Sequence, residues 1–229
     1  MKPALIIFDC DGVLVDTQAV INTIEWDYLL QQGMQMTLEE FTKRFSGVKA
    51  STIIEILRKE NNIRLLKSVQ EITKEIDNLI LARLSGEKIL PIKGVKETLQ
   101  NIPFKKCVAS NASVRVLRPL LLASSLTAYF DNHIFSADIV ERPKPYPDLF
   151  LCAARSMKVE PKQCLVIEDS EAGVKAAVAA DMKVWGFLGG NHINSETASK
   201  LLGSGAERIF QNMDELPKLL EAYQERRIA

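Results

Sequence analysis

Short apolar runs separated by longer mixed stretches set the pattern of this chain. Residues 4–8 (ALIIF), 106–110 (KCVAS), 164–168 (CLVIE) and 184–188 (VWGFL) have the near-continuous apolar character of strands buried on both faces of a parallel sheet, and residues 133–137 (HIFSA) form a weaker fifth run. Between them, from about residue 89 onward, SVRVLRPLLLASS, PDLFLCAARSM and SEAGVKAAVAADM carry helical patterns. Strand, helix, strand in that order predicts an α/β sheet covered on both faces.

Residues 17–88 break this alternation, because no strand pattern occurs there and the reading is helical throughout. Thr37 with Glu40 and Ser68 with Glu71 have the spacing of capping boxes, in which hydroxyl and carboxylate satisfy the free amides of a helix start. TLEEFTKRF and SVQEITKEIDNLILARL are therefore expected to open as helices. The first strand needs companions that resume only after Pro91, so the helical unit reads as an insertion into the sheet domain. Its two linkers, near Val15–Thr17 and Lys88–Pro91, are expected side by side as a hinge.

Composition narrows the function without choosing it. The apolar fraction of 47% and charged fraction of 25% are those of a folded globular protein. Lys plus Arg and Asp plus Glu both number 29, so no global field draws nucleic acid or an anionic membrane. No apolar run approaches the roughly 20 residues that span a bilayer. The first apolar run ends at an acidic residue rather than a cleavage site, which gives a cytoplasmic expectation. Cys10, Cys107, Cys152 and Cys164 lack CxxC spacing and read as reduced thiols.

In open α/β sheets, ligands gather at the carboxyl ends of the strands. Here those ends read FDCDG, VASNAS and VIEDS, with RPKPYPD after the weaker strand. Singly, each has a bland reading: Asp11-Gly12 as a turn, Ser110, Asn111, Asp169 or Ser170 as a cap, Lys144 as a solvated charge. Together, three acidic groups and a lysine at converging strand ends point to a bound cation and anion. Alternate residues of an extended segment share a side, so Asp9 and Asp11 can face one crevice. Hard Mg²⁺ takes oxygen ligands from one or two carboxylates, and Asp9 and Asp169 suit it.

FDCDGVLVD, VASN, KPYPD and VIEDS resemble, in order and spacing, the four motifs of the haloacid dehalogenase superfamily of phosphohydrolases. The helical insertion resembles the cap of the phosphoglycolate phosphatase and β-phosphoglucomutase branch. The resemblance implies a Rossmann-like parallel-sheet α/β core, residues 1–16 and 89–229, and an all-helical cap, residues 17–88. It implies Asp9 as nucleophile, Asp11 as general acid and base, and Mg²⁺ held by Asp9, the Asp11 carbonyl and Asp169, with Glu168 acting through water. Ser110 and the nearby amides would bind phosphoryl oxygens, with Asn111 a substrate-binding residue, and Lys144 would pair with Asp9 and the phosphate. Covalent catalysis and charge neutralisation suit monoesters, whose enzymatic acceleration reaches roughly 10²¹-fold. The dehalogenases of the superfamily lack the second carboxylate, which favours phosphoryl transfer.

RFSGVKAS, residues 44–51, resembles the cap loop that reads the leaving group, so Arg44 and Lys49 are candidate substrate contacts against the bland reading of a solvated helix end. Phe41 and Phe45, four apart, read as helix packing, and Trp26 and Trp185 as packing residues. The expected substrate is a small phosphorylated metabolite: phosphoglycolate, a sugar phosphate or a phosphosugar acid such as 6-phosphogluconate. The protein is expected as a monomer or weak dimer. The runner-up is a β-phosphoglucomutase-like phosphosugar mutase, but those mutases resemble a chain with histidine where Ile21 stands and arginine where Ala50 stands. A phospho-signalling receiver has no use for a cap, and neither GxxxxGK[ST], GxGxxG nor GxSxG occurs. His133 and His192 have no partner pattern for metal or triad work.

Overall fold

The computed structural model describes residues 3–60, 65–85, 89–191, 193 and 195–225. Strands β1 (Leu5–Phe8), β2 (Lys105–Ser110), β3 (Ile134–Ser136), β4 (Cys164–Glu168), β5 (Lys183–Phe187) and β6 (Arg208–Phe210) form one parallel sheet in the order β3-β2-β1-β4-β5-β6. This is a Rossmann-like α/β sheet. Five strands fall on the expected runs. The sixth, β6, was not expected: three residues beginning with Arg208 are too short to show a period, and pairing with Trp185, Gly186 and Phe187 makes them a strand.

Strand order explains where the site lies. The chain builds outward from β1 through β2 to β3, then returns to the other side of β1 to add β4, β5 and β6. The crevice between β1 and β4 is thus a topological switch point. Phe8 pairs with Ile167, so the residues that follow, Asp9 and Glu168, emerge side by side.

Alternation along β1 divides the core. Leu5 and Ile7 pack with Cys107, Ala109, Val166 and residues of α7 (Asp148–Met157) and α8 (Glu171–Ala179). Ile6 and Phe8 pack on the opposite face with Val108, Ile167 and Trp185, and with α5 (Val95–Asn101), α6 (Val114–Ala123) and α10 (Leu216–Glu225). Helix α9 (Thr197–Gly203) precedes β6. Complete burial on both faces explains why β1 and the first four residues of β4 are apolar at every position rather than at every second one.

Between β1 and Pro91 the chain leaves the sheet for α1 (Gln18–Gln31), α2 (Leu38–Phe45), α3 (Ala50–Lys59) and α4 (Val69–Ser85). Both capping boxes form: the Thr37 amide donates to Glu40 Oε2 at 2.8 Å and the Glu40 amide to Thr37 Oγ1 at 3.2 Å. Ser68 and Glu71 repeat the pattern at 2.8 and 3.2 Å. Phe41 and Phe45 are buried with ring centroids 5.3 Å apart, a packing pair. Trp26 donates to the Met36 carbonyl, and Trp185 is buried in the sheet core.

The strand-side linkers meet where Val15 bridges Pro91 antiparallel and the Ile92 amide donates to the Leu14 carbonyl at 3.0 Å. Gly12, at φ +82°, turns the chain after β1 in a left-handed conformation that side chains disfavour. Lys88, His192 and the last four residues of the expected tail helix lie outside the described residues. No helix among the described residues is long and apolar enough to cross a membrane.

Candidate active site

Lys144 is the centre of the site. It is 1% exposed, and its Nζ lies 2.6 Å from both Asp9 Oδ1 and Glu168 Oε1, with the Phe150 ring 4.8 Å away. Burial alone would lower the Lys144 pKa, but Asp9 and Glu168 reverse this and raise it, so the ammonium stays charged. Burial raises the Asp9 carboxyl well above its ordinary range; Lys144 opposes this, and Glu168 and Asp169 add to it.

Asp9, Glu168 and Asp169 each place a carboxylate oxygen within 4.8 Å of the others. One lysine charge cannot offset three buried carboxylates, and the donor set is wholly oxygen. Both features fit a hard divalent cation. Asp9 and Asp169 are the better ligands of the three, because the oxygens of Glu168 are already engaged. Its Oε2 accepts from the Asp169 amide, the Ser170 amide and Ser170 Oγ at 2.9–3.1 Å, while Oε1 takes Lys144.

Gly173 makes that carboxylate possible. A Cβ there would lie 1.8 Å from Glu168 Oε1 and 1.9 Å from its Cδ. Ser170 caps α8 by accepting from the Gly173 amide, and so ties the helix start to the same carboxylate. Ser110, at the end of β2, is 2% exposed and lines the cavity above Asp9; its Oγ accepts from the Ala112 amide, and no described acceptor takes its hydrogen.

One expected site residue gains a more specific task and another lies away from the cavity. Asn111 lines the cavity, yet its Nδ2 donates to the Gly47 and Lys144 carbonyls at 2.9 and 3.1 Å and its Oδ1 accepts from the Lys144 amide at 3.0 Å. With both side-chain N–H groups engaged, the Asn111 side chain fixes Lys144 and the 44–51 loop, while the residue itself lines the cavity as expected. Arg44 does not line the cavity. It forms a forked pair with Glu60 and stacks on Phe45 at 4.7 Å, because α2 turns that face toward α3 and solvent.

The rest of the loop does reach the site: Gly47, Val48, Lys49 and Ala50 line the cavity. A Cβ on Gly47, at φ +76°, would meet Ser170 Cβ at 2.8 Å, which measures how closely the loop seats on the sheet domain. Lys49 Nζ lies 2.8 Å from Asp138 Oδ1, and Asp138 Oδ2 accepts from the Val114 amide. Burial raises the Asp138 carboxyl, but the Lys49 and Val114 bonds outweigh it and the net shift is downward.

Of the other acidic groups in the cavity, Asp11 was expected from the first motif, while Asp77 and Glu25 carried no signal in the motifs. Asp11 is buried and accepts from Thr17 Oγ1 at 2.5 Å, so the residue that opens α1 also orients this carboxylate. Asp77 on α4 accepts from Ser113 Oγ at 2.7 Å, and burial raises its pKa. Glu25 on α1 is 6% exposed and lines the same cavity. Burial pushes its carboxyl up to about 8, with Asp11 and Asp77 adding to the shift. The available signal was helical spacing: Gln18, Ile21, Asn22, Glu25 and Leu29 share the buried face of α1, and three of the five are polar.

Comparison with known proteins finds one family. The family model of haloacid dehalogenase-like hydrolases matches residues 6–187. A 6-phosphogluconate phosphatase of Escherichia coli (strain K12) is 30% identical over 217 residues, covering 95% of this chain and 94% of that protein. A β-phosphoglucomutase of Bacillus subtilis (strain 168) is 28% identical, over 77% of this chain and 80% of its own. Among solved structures, a conserved haloacid dehalogenase-like protein of unknown function from Agrobacterium tumefaciens superposes with a TM-score of 0.78 at 35% identity, covering 96% of this chain and 99% of that one.

Proposed function

The chain belongs to the haloacid dehalogenase-like hydrolases, and on that premise we propose that it is a Mg²⁺-dependent phosphatase of small phosphate monoesters. The observation that carries the reading is the buried lysine bridging two carboxylates at the β1/β4 switch point, with a third carboxylate beside them. Sugar phosphates, phosphosugar acids and phosphoglycolate are the candidate substrates.

Asp9 Oδ1 is engaged by Lys144, and no described residue donates to Oδ2. Oδ2 is therefore the attacking oxygen in this proposal. It forms the new bond to phosphorus as the bond from phosphorus to the ester oxygen breaks, leaving the phosphoryl group on Asp9. Asp11, held by Thr17, gives a proton to the leaving alkoxide. It then takes one from the water that attacks the aspartyl-phosphate, releasing phosphate and restoring Asp9. Ser110 donates to a phosphoryl oxygen, and Lys144 neutralises charge beside Asp9. The Asp9 and Asp169 carboxylates and the Asp11 carbonyl, with Glu168 through water, would hold Mg²⁺, whose positive charge would let carboxylate and phosphate dianion approach.

In this proposal residues 17–88 act as a cap that closes over the substrate and opens about the Val15–Pro91 crossing. A cytoplasmic setting belongs to the same reading and is supported by four free cysteines. The mutase reading is less favoured because Ile21 and Ala50, both lining the cavity, stand where the mutase resemblance calls for histidine and arginine. Assay of phosphate release from a monoester panel, with and without Mg²⁺, tests the proposal. Metal-dependent release is expected; conversion of β-glucose 1-phosphate to glucose 6-phosphate without release would select the mutase.

A further inference from the structure

Among the described residues six ionisable side chains line the cavity: Asp9, Asp11, Glu25, Lys49, Asp77 and Lys144. Five have a bonded partner: Lys144 with Asp9, Thr17 with Asp11, Asp138 with Lys49 and Ser113 with Asp77. Glu25 is the exception. Among the described residues none donates a hydrogen bond to it and no positive charge opposes it, although it is only 6% exposed.

With no donor in the empty cavity the Glu25 carboxyl keeps its proton up to about pH 8, and a ligand that supplies donors favours its ionised, accepting form. The surroundings indicate what that ligand carries. Ile21, one turn before Glu25 on α1, is apolar, and the facing residues of α4 include Thr73 and Asp77. The cap-borne cation of the cavity, Lys49, is already paired with Asp138. A second anion on the ligand would therefore meet Glu25 and Asp77 with little opposing charge, whereas hydroxyl groups would give Glu25 the donors it lacks.

We propose that Glu25 is a specificity-determining residue: it accepts hydrogen bonds from hydroxyl groups on the substrate's carbon chain and selects polyol or sugar phosphates over phosphorylated acids. The inference rests on the phosphatase reading and sharpens it, because it sets this chain apart in substrate from a phosphatase of 6-phosphogluconate.

The test, run at about pH 9 where the Glu25 carboxyl is ionised, uses matched pairs differing only in a terminal CH₂OH or carboxylate: glucitol 6-phosphate with 6-phosphogluconate, and glycerol 3-phosphate with 3-phosphoglycerate. Wild type is expected to favour the alcohol of each pair by about tenfold or more in kcat/KM, the size of one hydrogen bond to a charged group. Glu25→Gln keeps the shape and adds an amide donor, so that preference is expected to shrink toward unity or invert; a purely structural residue would lower both members equally. Equal or better hydrolysis of the acids by wild type, or an unchanged ratio in Glu25→Gln, overturns the proposal. Hydrolysis of p-nitrophenyl phosphate reports on the chemistry separately. Should it fail, the phosphatase reading falls, and the same discrimination is read as Kd for each pair by calorimetry on Asp9→Asn protein and its Glu25→Gln counterpart. Tighter binding of the alcohols that Glu25→Gln erases then supports the proposal, and equal binding or an unchanged ratio overturns it.

Discussion

The two walls of the cavity are built on opposite plans. On the sheet side Lys144 joins Asp9 and Glu168, and Glu168 accepts three further bonds from Asp169 and Ser170. On the helical side Glu25 has no donor among the described residues, and Lys49 is turned to Asp138. The sheet side is complete before any substrate arrives, which suits groups that must stabilise the same charge in every turnover. The helical side is completed by what binds, which suits recognition of a variable leaving group.

The sharpest way to break this comparison is to remove the group on which the chemistry depends. Asp9→Asn is expected to cut turnover by at least about 10⁴-fold while the protein remains folded. Near-normal steady-state rates would remove the assigned nucleophile. Lys144→Met should act on stability as well as rate, because it strands two buried carboxylates, and a loss of about 3–5 kcal/mol is expected in urea unfolding. An unchanged midpoint would show that the sheet side does not depend on this ion pair. Gly173→Ala introduces a Cβ into the Glu168 carboxylate; a loss of about 2–3 kcal/mol with reduced turnover is expected from the same measurements.

The helical side should answer with the opposite sign. The folded protein holds a proton on Glu25 up to about pH 8, against an ordinary value of 4.5. Between those values the folded state binds more protons than the unfolded one, so Glu25 makes stability fall as pH rises through the window. Metal-free Glu25→Gln should lack this fall and gain about 3–4 kcal/mol over wild type at pH 8 relative to pH 5, read from parallel denaturation curves. Parallel pH profiles would contradict the buried, unpartnered state of Glu25. Lys49→Ala carries the smallest effect, a rise in KM of about fivefold or less that varies with the substrate, since its pair with Asp138 is half-open to solvent. Identical kinetics across a panel would remove Lys49 from recognition.

The sheet side was the more legible of the two in sequence. Unbroken apolar runs ending in Asp9, Ser110 and Glu168-Asp169 are a local signal, and burial on both faces of a parallel strand produces it directly. Strand β6 left no such trace, being an edge of three residues defined by its neighbour. The Arg44 pair and the Asn111 side-chain bonds were not legible because their partners, Glu60 and the Gly47 and Lys144 carbonyls, are set by how helices and loops pack. Glu25 hid inside a helix whose buried face mixes polar and apolar residues, so its burial became evident only once α1 and α4 enclosed a cavity.

The most direct test of the account is to ask where the phosphoryl group goes. A radiolabelled phosphate monoester mixed with enzyme and Mg²⁺, quenched in acid within one turnover and digested, should leave label on the peptide that contains Asp9, and none when Mg²⁺ is omitted or Asp9 is Asn. Phosphate release with no label on that peptide, or label on the peptide bearing Ser110, would contradict the account.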